Sequence, residues 1–235
     1  MRRRRYVSYY AALGLGVSVA LFRDLLGDAA LPESPLLTFS TLALVGLLVL
    51  GMLSMILLDR LGAAARLQGL EVALIITIAL AVHTLAEAME IGGLAAEPSI
   101  PDLVAATGGV YAGLSFSLHK LLEALIVGFA FSAFYRGARF KGPFLLFVGL
   151  IVIPGLVGAA LPYSLPMSSS YFFAFAAGAS LYYVVRMGQA SFIDPGTKPW
   201  RLSSLALLGF LLYYGAGALH SVGGASPEAL LRAAF

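Results

Sequence analysis

The segment VALIITIALAVHTLAEAMEI, residues 72–91, decides how this chain is read. Its first half is almost wholly apolar, rich in Ile, Leu and Ala, and shows no alternation of period two. That pattern excludes a half-exposed strand and fits a helix. With its flanks the apolar run spans about 69–92, and about 20 such residues cross a bilayer. Its second half, however, carries His83, Glu87 and Glu90. A later stretch, HKLLEALIVGFAF at 119–131, opens on the same outline with His119, Lys120 and Glu123. Charge at bilayer depth costs about 2.5 kcal/mol or more per group, so it needs a partner or a task.

Composition supports the membrane reading. The chain has 235 residues, 60% hydrophobic and 11% charged, with mean hydropathy +0.92. A soluble domain carries about 25% charged residues. So much apolar surface cannot be hidden in one water-soluble core, and the surplus must face lipid. The net charge of +3 is modest and gives no nucleic-acid signal. With no cysteine, disulfide frameworks and thiolate metal sites are excluded. MRRRR before an apolar stretch mimics a signal peptide, but no small-residue cleavage site leads into polar sequence. The first segment is therefore expected to be retained as a span.

Seven spans are predicted, at about 6–26, 36–58, 69–92, 107–135, 143–163, 168–186 and 201–221. Separators such as GLAAEPSIPD and DPGTKP carry turn and breaker residues. Alternate ends bear Arg2–Arg5, then Arg60 and Arg66, then Arg136, Arg139 and Lys141, then Arg186, Lys198 and Arg201. The opposite ends bear Asp28, Glu33, Glu97 and Asp102, and almost no base except Arg232. By the positive-inside rule this is an all-α, polytopic bundle, N-terminus cytoplasmic and C-terminus outside. It forms a single transmembrane domain over residues 1–235. Pairs of small residues, Gly109 with Gly113 and Ala174 with Gly178, suit close helix packing. Pro154 is expected to kink the fifth span and free the carbonyl of Leu150.

His83 and Glu87 are spaced i,i+4, hence share one helix face, and His119 and Glu123 repeat the spacing on the next span. The two spans are expected to be antiparallel neighbours with both pairs at similar depth. Two imidazoles and two carboxylates would then form a shell for zinc or another divalent transition metal. One buried His–Glu pair is ordinarily a satisfied hydrogen-bonded pair; two of identical spacing on adjacent spans favour a metal. The di-iron pattern Glu-x-x-His differs in order and spacing.

HTLAEAMEIG (83–92) and HKLLEALIVG (119–128) resemble the paired His-x-x-x-Glu-Gly/Ala signatures of the fourth and fifth helices of ZIP metal transporters. The resemblance extends to IPGLVGAALPY (153–163), FAFAAGASLYYVV (173–185) and LALLGFLLYYG (205–215), similar to that family's sixth, seventh and eighth helices. ALGLGVSVALFRDLLGDA (12–29) and LALVGLLVLGMLSMILLD (42–59) resemble its second and third. The family has eight helices with both ends outside, and the match begins at the second. The resemblance implies His83, Glu87, His119 and Glu123 as ligands of a transported divalent ion.

The family often has a second metal beside the first. Where it commonly has Asn after the first histidine, this chain has Thr84; after the second stands Lys120, and Ile153 precedes Pro154 where Glu is frequent. One ion is therefore expected. The Lys120 ammonium is expected in place of the second, neutralising Glu123 or Glu87; its other reading is snorkelling toward the outer interface. Asp24, Asp28 and Glu90 are auxiliary or pathway candidates, with interfacial solvation as the alternative. Arg186, where the family often has acids, would repel cations. Tyr182, Tyr183 and Trp200 read as packing or aromatic-belt residues, and His220 as interfacial.

The expected partners are the metal ion and membrane lipid, with a homodimer left open. The short loops point to a prokaryotic plasma membrane. Two rival readings stand beside transport. One is a non-transporting ZIP-like relative that binds metal. The other is a seven-helix zinc hydrolase, whose zinc would need an open position for water that four protein ligands do not leave.

Overall fold

The computed structural model describes residues 2–29, 38–65, 70–96, 109–135, 141–161 and 168–224; side chains at 2–5, 94–96, 109–116, 141, 143 and 217–224 are outside that description. Among the described residues there are seven helices: α1 (Arg2–Asp28), α2 (Phe39–Ala64), α3 (Leu70–Ala96), α4 (Gly109–Phe134), α5 (Lys141–Ala160), α6 (Ser170–Ser191) and α7 (Pro199–Gly224). Each coincides with a predicted span. α5 continues as helix through Pro154. The side chains of Arg2–Arg5, Glu33, Arg66, Glu97, Asp102, Arg136, Arg139, Lys141, His220 and Arg232 lie outside the described residues, as does the packing of Gly109 and Gly113.

Among the described residues four segments are long and apolar enough to cross a membrane: Tyr6–Asp28, Phe39–Ala64, Leu70–Gly93 and Ser117–Phe134. Phe144–Ala160 is apolar but shorter. This is a membrane-embedded helical protein. Its surface inverts the pattern of a soluble bundle. On α2, Leu42, Val45, Val49, Leu53 and Leu57 recur every three or four residues and are all exposed, an outward stripe for lipid. The interior is built instead from small residues. On α6, Ala174, Ala176, Ala177, Gly178, Ala179 and Ser180 are all buried. α6 packs against α1, α2 and α3. Facing other helices rather than lipid, it has no need of a strongly apolar surface.

Small residues bring three pairs of helices to backbone contact. A Cβ on Gly16 of α1 would lie 1.7 Å from the carbonyl oxygen of Ala206, and one on Gly209 of α7 would lie 2.2 Å from that of Leu13. α2 and α6 meet likewise: a Cβ on Gly178 would lie 1.9 Å from the Leu48 oxygen, and one on Gly51 2.2 Å from the Phe175 oxygen. Of the small pair expected at Ala174 and Gly178, Gly178 is thus a contact with α2, and Ala174 is buried. α3 and α5 are joined the same way through Gly92 and Gly158. α4 differs. A Cβ on its Gly128 would meet open space, and α4 rests on α7, α1 and α3 through side chains.

Candidate metal centre

His83 and Glu87 project from one face of α3 because four residues make just over one helical turn. α4 runs antiparallel to α3, so Glu123 lies level with His83 and Lys120 with Glu87. The two pairs converge as their spacing predicts. One donor atom from each of His83, Glu87, His119 and Glu123 lies within 4.8 Å of the others. His83 Nε2 is 3.2 Å from Glu87 Oε1 and 3.1 Å from Glu123 Oε1. His119 Nε2 is 2.9 Å from Glu123 Oε1 and 3.8 Å from Glu87 Oε1. His83 and Glu123 are buried, at 1% and 2% exposure, whereas the side chains of Glu87 and Lys120 are 18% and 23% exposed.

Lys120 turns inward rather than snorkelling. Its ammonium donates to Glu87 Oε2 and to both oxygens of Glu123, at 3.0 and 2.9 Å. With neutral imidazoles the cluster carries two negative charges and one positive. It therefore keeps a net negative charge in surroundings that punish unpaired charge. Nδ1 of His83 is buried with no hydrogen-bond partner among the described residues, as is Oγ1 of Thr84.

The donor set suits a divalent ion of zinc type, which takes His nitrogen and carboxylate oxygen at about 2.0–2.2 Å. Donors around such an ion stand about 4 Å apart or less. The observed 4.8 Å limit needs only small side-chain movements to close. Glu123 Oε1, which faces both imidazoles, already serves Lys120, so an incoming ion competes with an ammonium for it; on Glu87 the ammonium takes Oε2 and leaves Oε1 to the imidazoles.

Two candidates stand apart from the donor group. Glu90 is an exposed residue one turn beyond Glu87 and accepts from Ser169 Oγ at 2.9 Å. Asp24 is half-buried on α1 and outside the cluster. Other residues escaped the sequence reading. Tyr213 of α7 is buried with its hydroxyl 2.7 Å from His119 Nε2 and its ring centroid 4.6 Å from the imidazole. A buried tyrosine hydroxyl needs a partner, but no local spacing says which. Tyr182, read as packing or belt, instead donates to Asp59 Oδ2 at 2.6 Å. Asp59 also faces Arg186 Nε at 3.6 Å, so the arginine stands beside a counter-charge. Tyr183 is fully buried and donates to the carbonyl of Ile126 at 3.2 Å. Trp200 is 62% exposed, as a belt residue would be.

No family model, curated protein or solved structure matches the chain.

Proposed function

We propose that the protein is a ZIP-like transporter that carries one divalent transition-metal ion, zinc first, across the membrane. The observation that carries this reading is the convergence of two His and two Glu from neighbouring helices into one donor cluster. The resemblance of the paired His-x-x-x-Glu segments to ZIP signatures supports it. In this reading all seven helices span, with the N-terminus cytoplasmic and the C-terminus outside, in a prokaryotic plasma membrane. The ion exchanges its water for His83, Glu87, His119 and Glu123. α3 and α4 then shift against the rest of the bundle to open the other side. Ligands must be deprotonated to hold the ion, so acidification weakens binding and promotes release.

One ion is proposed rather than two. Lys120 occupies the space a second cation would need between Glu87 and Glu123. Ile153, at the place where the family often has Glu, is 60% exposed and offers no donor.

Flux into liposomes tests the reading. Zinc uptake by wild-type vesicles should exceed uptake by His83→Ala/Glu123→Ala vesicles, and equal uptake would end the transport claim. Lys120 also favours a second reading, a non-transporting metal-binding relative in which the ammonium closes the path. Saturable binding of one zinc without flux would select it.

A further inference from the structure

The geometry points to Tyr213 as a release residue: its hydroxyl holds Nε2 of His119 while the centre is free of metal, and so competes with the ion for that nitrogen. This rests on the reading of the centre as a metal site and adds a group that is not among the four donors. His119 Nε2 is the atom that faces the carboxylates, 2.9 Å from Glu123 Oε1. It is also the atom that Tyr213 Oη reaches, at 2.7 Å. An imidazole nitrogen has a single lone pair or a single proton to offer. It cannot serve the tyrosine and a metal ion together.

Tyr213 stands at 2% exposure, so no bulk water waits to replace His119 as its partner. When an ion takes Nε2, the phenol loses its bond in a dry place, and an orphaned buried hydroxyl is unfavourable. Both effects have the same sign: each weakens metal binding. Tyr213 is moreover carried by α7, which is seated on α1 through Gly16 and Gly209. The hydroxyl therefore stays with a fixed pair of helices while α4 brings His119 to it. A cargo site must bind well enough to load and weakly enough to empty. A built-in competitor for one ligand provides the second property, as Lys120 does for the carboxylates.

Tyr213→Phe tests this with little disturbance, since the ring stays and only the oxygen goes. Zinc affinity of the purified protein is measured by competition with a chromophoric chelator. The substitution should tighten binding about tenfold, the size of one typical hydrogen bond, and slow zinc dissociation correspondingly. Nitrogen-15 NMR of labelled histidine in the metal-free protein supplies a second readout. The Nε2 resonance of His119 should move on Tyr213→Phe while that of His83 stays in place. Unchanged affinity, or an unmoved His119 resonance, overturns the proposal. Weaker binding also overturns it, because Tyr213 would then be a ligand. Wild-type protein that takes up no zinc overturns the metal reading itself, a result distinct from any of these.

Discussion

Two polar clusters lie within the same apolar bundle, and they are built differently. One is the centre between α3 and α4. The other joins Asp59 at the end of α2 to Tyr182 and Arg186 on α6, with the guanidinium 5.9 Å over the ring of Phe134. A Cβ on Gly62, near Asp59, would lie 2.4 Å from the Glu71 Cβ at the start of α3. His83 is therefore roughly 18 Å further along α3 by helical rise. In the Asp59 cluster the side chains of Asp59 and Arg186 are 16% and 29% exposed; Tyr182 gives to Asp59 and Arg186 Nη1 gives to Gln189 at 3.2 Å, while Arg186 Nε is buried without a hydrogen-bond partner among the described residues. Its one carboxylate faces one guanidinium, so no negative charge is left over to attract a cation. In the centre His83 and Glu123 are drier, the carboxylates outnumber the one ammonium, and two imidazole nitrogens point inward at them. Buried charge alone does not mark a site in a membrane bundle. Carboxylates that keep a net negative charge beside converging imidazoles do.

The sharpest way to break this contrast is Glu123→Gln. Glu123 is shared by His83, His119 and Lys120, so neutralising it leaves the ammonium with Glu87 alone. Removing one partner of a buried pair costs about 3–5 kcal/mol. A large fall in melting temperature in detergent is expected, together with a loss of zinc affinity on the order of a hundredfold. A variant as stable and as zinc-avid as wild type would place the centre in the same class as the Asp59 cluster.

Lys120→Met should have a smaller and two-sided effect. Without the ammonium, two carboxylates share a dry space, so the metal-free protein is less stable. The ion, in turn, no longer has a competitor for their oxygens. Zinc affinity should rise about tenfold, the value of a charged hydrogen bond, and the zinc-induced rise in melting temperature should exceed that of wild type. Stoichiometry should stay at one ion per chain. Two ions bound at the centre of the native protein would remove the single-ion reading.

How much of this could be read from the chain depends on distance along it. Long apolar runs separated by breakers place the helices closely: the third span, expected at 69–92, is Leu70–Ala96. The His83–Glu87 and His119–Glu123 pairs are local consequences of helical pitch, so they were legible too. Their convergence required only that adjacent spans run antiparallel. Tyr213 is a different matter. It reaches His119 across 94 positions, and that contact depends on how α7 seats on α1. Gly16, whose local sequence names no partner, proves to be part of that seat. Asp59 and Tyr182, 123 positions apart, were equally hidden. Lys120 lay between these extremes. Its position in a span was plain, but its inward turn depends on two carboxylates on different helices.

The smallest expected effect belongs to Asp59→Asn and Arg186→Gln, and it is the one that sharpens the contrast most finely. Partly exposed ion pairs are worth about 0–1 kcal/mol, and Arg186 Nε stands 3.6 Å from Asp59, beyond hydrogen-bond length. Each single variant should melt within a degree or two of wild type, and zinc affinity at the distant centre should not change. The double variant should lose little more than either single one, because their coupling is weak. Flux is the measurement that matters most here. If Arg186→Gln raises zinc flux at unchanged affinity, the guanidinium repels the ion on its way out, and the Asp59 cluster belongs to the route. If flux is also unchanged, the cluster only fastens α2 to α6, and the chemistry of this bundle is confined to the centre between α3 and α4.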